Sequence, residues 1–344
     1  MGAMLALAVA FVLQFAPEGG APNRQPQLAA MASRVALVYG AGDRVLFRAS
    51  TDGGKTFGGA IELPVKGKVA LGMRRGPRVA VTRHGYTVTA IVGETLRGQD
   101  GDVVAWYSAD GKTWSEGRRL NSVERAGREG LHAMAASADG LAVAAWLDLR
   151  EKGTRVRGAV SEDGGRSWKE DRLIYESPSG SVCECCHPEL AVSGKRVYLM
   201  FRNAIGGTRD MFLTTSADGG ATWPWAKKLG TGTWKLEACP MDGGDLDVDA
   251  AGKIQAVWRR EMGLYRSGAE GVEEQIGTGK NAVLATAGGR AAFAWMDGKV
   301  VRVTLGDERW ERAGAWPTMV AAGSGGVLVA WEEAGTIRVE RFGL

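Results

Sequence analysis

One motif recurs along the chain and limits what it can fold into: Ser161-Glu162-Asp163-Gly164-Gly165-Arg166-Ser167-Trp168. Versions of it start at Ser50, Ser108 and Ser216, with the pattern Ser-x-Asp-Gly-(Gly)-x-Thr/Ser-aromatic. In a tight strand-to-strand turn, the aspartate accepts backbone N–H bonds, the glycines take positive φ and the ring covers the apolar seam below. Asp52, Asp110, Asp163 and Asp218 are therefore read as structural turn residues. They lie 58, 53 and 55 residues apart. That period is too long for a hairpin and suits a blade of four short strands.

A second pattern precedes each turn: a small-residue strand, a short turn, then an apolar strand often ending in Trp or Phe. It begins at Pro26, Pro77, His132, Pro188, Gly244, Asn281 and Pro317. Seven such units predict an all-β propeller of seven four-stranded blades, with six as the alternative. The last unit has sequence for only three strands before Leu344. A ring must close because one blade cannot cover both faces of its sheet. One domain is expected over 26–344.

Residues Met4 to Ala16 form a 13-residue apolar run. It is short for a bilayer span and suits the core of a signal peptide, so 1–25 is read as a leader or N-terminal extension and the protein as periplasmic or secreted. No Lys or Arg precedes the run, and a buried strand is the competing reading. The formal charge of +4 comes from basic and acidic residues spread throughout, with no basic stripe, so nucleic acid is not implied. A monomer without a transmembrane span in the mature protein is expected.

In an up-and-down blade, call the strands a to d from the channel outwards. The d-to-a and b-to-c loops share one face, and the Asp turns, which are c-to-d loops, lie on the other. Chemistry is therefore sought in the loops before strand a. All four cysteines fall there: Cys183, Cys185 and Cys186 before the fourth unit, with His187 following, and Cys239 before the fifth, with Met241 and Asp242. His132, Asp148, Arg150, Arg202, Arg209, Asp210, Arg259 and Glu261 belong to the same rim, as candidates for holding a polar or anionic ligand.

Three states of the cysteines are open. Facing loops allow a disulfide from Cys239 to Cys183, Cys185 or Cys186. The thiols with Met241, His187 or His132 also form a soft set for copper or zinc. Cys183-x-x-Cys186-His187 matches a haem attachment motif, but a third cysteine inside it and Pro188 after it place haem last.

The repeated turns resemble the Asp boxes of the sialidase (neuraminidase, BNR-repeat) superfamily of β-propellers, over essentially the whole chain. The Cys183-Glu184-Cys185-Cys186 loop, Arg202, Arg209-Asp210 and the Cys239-Pro240 loop resemble a group of exported bacterial sialidase-like proteins. Membership of the superfamily implies hydrolysis of terminal sialic acids, by an arginine triad, a Tyr nucleophile paired with a Glu, and an Asp acid/base. The first arginine there lies in a Phe/Tyr-Arg-Ile-Pro motif; here Arg34, Arg44 and Arg48 precede the first box and none is followed by Ile-Pro. Tyr265 near Glu261 falls in a packed strand. The expected function is thus non-hydrolytic binding of a polar or anionic small molecule, a glycan or a protein partner, with an exo-α-sialidase-type hydrolase as the alternative.

Overall fold

The computed structural model describes residues 12–249, 251–268, 271–323 and 325–343. Among them every regular element is a strand, and no helix is long and apolar enough to cross a membrane. The strands form seven antiparallel blades around a channel, each four strands deep.

Blade I comprises Asn23–Met31, Arg34–Ala41, Arg44–Ser50 and Ile61–Glu62. Blade II is built from Arg78–Thr82, Gly85–Gly93, Asp102–Ser108 and Arg118–Arg119, with Lys68–Val69 paired to the far end of Gly85–Gly93. Blades III and IV start at His132–Ala136 and Glu189–Ser193, and blades V and VI at Asp245–Val248 and Lys280–Ala287. Blade VII takes three strands from the C-terminus, Ala315–Ala322, Gly326–Glu333 and Thr336–Phe342.

The fourth strand of blade VII comes from the other end of the chain. Leu13–Phe15 pairs antiparallel with Thr336–Phe342, in the register Leu13 to Val339 and Phe15 to Ile337. This strand lies upstream of residue 26, where the domain was expected to begin. The propeller body begins within the apolar run, because the last unit lacks an outer strand and an N-terminal one closes the ring. Phe15 meets Phe57 edge-on at 5.8 Å, and Arg48 lies over its ring at 4.5 Å. Residues 1–11, the first part of the expected leader, lie outside the described residues. A cut after Ala16 would remove a strand of the ring.

Apolar side chains of neighbouring blades fill the seams; Val38, Phe47, Val88 and Trp106 form one such core between blades I and II. The Asp turns tie these seams together. In blade III, Asp163 accepts the Ser167 N–H and hydroxyl at 2.9 and 2.6 Å, while Ser161 Oγ accepts the Gly165 N–H at 2.8 Å. Gly165, at φ +93°, presses on the preceding blade: a Cβ there would lie 2.0 Å from Thr87 Oγ1. Thr87 in turn donates to the Gly164 carbonyl at 2.6 Å. Equivalent bonds surround Asp52, Asp110 and Asp218.

Candidate functional site

The face carrying the d-to-a and b-to-c loops holds two adjoining features, a thiol cluster on blade IV and a basic pocket over blades I to III.

Cys183 is pinned to its own blade by its N–H bond to the Arg202 carbonyl at 3.0 Å. The chain then turns so that three sulfurs converge. Cys183 lies 3.7 Å from Cys185 and 3.6 Å from Cys186, and Cys185 lies 3.9 Å from Cys186. Cys183 and Cys186 are buried and Cys185 is half-buried. Burial opposes ionisation of Cys186, yet the neighbouring S–H donors, the Arg202 cation and the Asp242 N–H hold its thiol well below the usual range.

The expected cross-blade set is not assembled. Cys239 is exposed and stands outside the sulfur triangle, and Met241, in the left-handed region at φ 55°, is exposed as well. His187 is likewise outside the cluster: it is buried beside the channel, with Nε2 donating to the Gly244 carbonyl at 2.9 Å. Burial, with Arg74 and Arg78 nearby, pulls its pKa down to about 3. His132 is fully buried as well, with Nε2 3.0 Å from Thr89 Oγ1, so it is not a rim group.

Arg202 is 1 % exposed, a buried strut rather than a surface arginine. It donates to the carbonyls of Asp242 (2.9 and 3.1 Å) and Arg259 (2.9 Å) and also to that of Arg209. Arg202 and Arg259 each lie 5.3 Å from the Trp234 ring, whose backbone N–H is held by Asp210 at 2.8 Å. Asp242 accepts the Asn281 N–H at 2.9 Å, and burial pushes its carboxyl up. Arg202, Arg209, Asp210, Asp242 and Arg259 are thus brought together around Trp234. Asp148 and Arg150 belong to a separate network in blade III, where Arg150 bridges Asp148 (2.8 Å) and Asp171 (2.7 Å). Glu261 is exposed in a hairpin turn, and Tyr265 is covered by Arg260 at 3.9 Å from its ring.

Sequence reading missed the basic pocket. A cavity of about 740 Å³ is lined by Lys68, Arg75, Arg97, Arg128, Glu129 and the apolar Leu96, among others. The short strand Lys68–Val69, the turn before blade II, the b-to-c loop of blade II and the loop before blade III each supply part of it. Arg75 is aimed by its bond to the Glu129 carbonyl at 2.7 Å. Burial raises the Glu129 carboxyl; Arg75 and Arg128 oppose this, and Glu184 of the cysteine loop adds to it. The two features therefore adjoin through Glu129 and Glu184. The available sequence signal was the spread of Arg75, Arg97 and Arg128 over successive loops of the same face.

On this face the Arg74 guanidinium reaches the carbonyls of Asn281 and Pro317. Below it, a cavity of about 670 Å³ is lined by Arg78, Glu189, Asp245 and Asp247 and extends to the a-to-b turns at Asp249 and Gly288. Burial and the neighbouring Glu189 push Asp245 up to about 8.

Residues 79–231 match the family model described as a BNR repeat-like domain. The fold is a seven-bladed β-propeller, and the matched segment spans the second to the fourth blade. Comparison with curated proteins finds no match. Among solved structures, this chain is similar to an ulvan lyase bound to -[GlcA(1-4)Rha3S]-, at 9 % identity and TM-score 0.57, covering 95 % of each chain. It is also similar to a Penicillium chrysogenum α-L-arabinanase complexed with arabinobiose, at 14 % identity and TM-score 0.57, over 96 % of this chain and 98 % of that one. A Fusarium graminearum α-L-arabinofuranosidase with arabinobiose aligns at 10 % identity and TM-score 0.55, over 96 % and 97 %. At these identities the likeness concerns the fold.

Proposed function

We propose that the protein binds an anionic glycan, outside the cytoplasm, in the basic pocket of the loop face. The observation that carries this reading is the convergence of Lys68, Arg75, Arg97 and Arg128 on one cavity large enough for one or two sugar rings. Guanidinium forks match the carboxylate or sulfate of an acidic sugar, and Leu71, Met73 and Leu96 offer apolar atoms to the sugar faces. Fold relatives that hold glycans, one of them carrying glucuronate and sulfate, support the same ligand class.

Binding without turnover is the preferred form. A sialidase needs a tyrosine nucleophile beside its arginines, and no tyrosine lines the pocket among the described residues. Turnover is the second reading, and Glu129 favours it, because a carboxyl raised by burial can keep a proton for transfer. A calorimetric panel of sialosides, glucuronate-containing oligosaccharides and neutral arabino-oligosaccharides tests the proposal, with reducing ends assayed in parallel. Binding of acidic members without new reducing ends is expected. Equal binding of neutral and acidic members would remove the basic pocket from the account, and turnover lost in Glu129→Gln would establish the second reading.

A further inference from the structure

We propose that Cys183, Cys185 and Cys186 form a three-sulfur site for one thiophilic metal ion, zinc(II) or copper(I). The inference does not depend on the glycan reading. A tetrahedral ion with metal–sulfur bonds of about 2.3 Å separates its sulfurs by about 3.8 Å, and a trigonal one by about 4.0 Å. The observed sides of the triangle, 3.6, 3.7 and 3.9 Å, already have the size of one coordination face. Soft thiolates select these two ions over harder cations.

Two further observations favour a metal over a disulfide. A disulfide would join two of the three sulfurs and leave the third unpaired, since Cys239 stands outside the cluster. Arg202, beside Cys186, is buried and donates to carbonyl oxygens beside an indole; the carboxyl that acts on it, Asp242, is shared with Arg259 at 3.8 Å, so two cations face one acid. A buried cation calls for a nearby negative charge. When zinc(II) binds, three S–H bonds give their protons to solvent, three metal–sulfur bonds form and no electron moves. The centre then carries one net negative charge against the Arg202 cation. Copper(I) with the same three thiolates would carry two. Cys185 is only half-buried, so a fourth position can be reached from solvent. Glu184, between two of the ligands, is exposed and acts on Glu129, so the ion would also fix the loop that borders the basic pocket.

The test is anaerobic titration of the reduced full chain with zinc(II) and with copper(I), each against a chromophoric competitor. One equivalent of at least one ion is expected to bind. X-ray absorption should then show three sulfur neighbours at about 2.3 Å. Cys186→Ser should weaken binding at least about tenfold, and the half-exposed Cys185→Ser should do the same with an unchanged melting temperature for the metal-free chain. Cys239→Ser should bind as the unaltered chain does. A reduced chain that takes up neither ion overturns the proposal, and so does binding that survives Cys185→Ser or is lost with Cys239→Ser.

Discussion

The guanidinium of Arg74, from the loop before blade II, donates to the carbonyl of Pro317 in blade VII at 2.8 Å, spanning the channel mouth. It also reaches the backbone of Asn281 in blade VI, so one side chain joins three blades. Arg74→Ala leaves these carbonyls without their donor, and each orphaned buried group costs about 1–3 kcal/mol. A lower melting temperature is expected, with the strands retained by circular dichroism. An unchanged melting temperature would show that the span adds nothing to ring closure.

The Asp turns separate two effects. Asp163→Ala removes turn bonds at a partly exposed site and should cost about 1 kcal/mol. Gly165→Ala should cost more than about 1 kcal/mol, because it adds positive-φ strain to a clash with Thr87. Denaturant unfolding of both variants checks the order. Ligand binding should persist in each, since these turns lie on the opposite face from the pocket.

Truncation through Ala16 tests the ring closure directly. Losing the Leu13–Phe15 ladder and the packing of Phe15 on Phe57 should destabilise blade VII by on the order of 2–3 kcal/mol. Thermal melts of the chain with and without residues 1–16 read this out. Equal stability would mean that the outer strand is dispensable.

Asp245 gives a pH dependence. Its folded pKa, pushed up to about 8, exceeds the unfolded value near 4. The folded chain therefore holds a proton that the unfolded chain has lost, and this contribution is full below about pH 4 and falls away as pH rises through about 8. Asp245→Asn should flatten that loss and raise stability at pH 8 relative to the unaltered chain. Urea midpoints at pH 5 and pH 8 for both proteins provide the comparison, and parallel shifts in the two would contradict it.

The blades were legible because Asp-Gly turns and period-two strands are local signals. Ser161, Asp163 and Gly165 make their bonds within a few residues. Ring closure was not legible, since the pairing of Leu13 with Val339 joins the two ends of the chain and has no local signature. The same limit explains the cysteines. Cys183, Cys185 and Cys186 meet within one loop, as their spacing allows, whereas the placement of Cys239 depended on the course of a second loop. Arg202 looked like a rim charge because two of its three carbonyl partners, on Asp242 and Arg259, come from distant segments. The basic pocket stayed hidden because Arg75, Arg97 and Arg128 become neighbours only when adjacent blades bring separate loops together.

The central claim, that this pocket holds an acidic glycan, is tested most directly by calorimetric titration with a glucuronate-containing oligosaccharide. The unaltered chain is compared with an Arg97→Ala, Arg128→Ala double variant of matched melting temperature. Saturable binding that weakens with salt is expected, with a loss of at least about tenfold in the double variant, as removal of charge-assisted bonds implies. Binding of equal strength in the two proteins would contradict it.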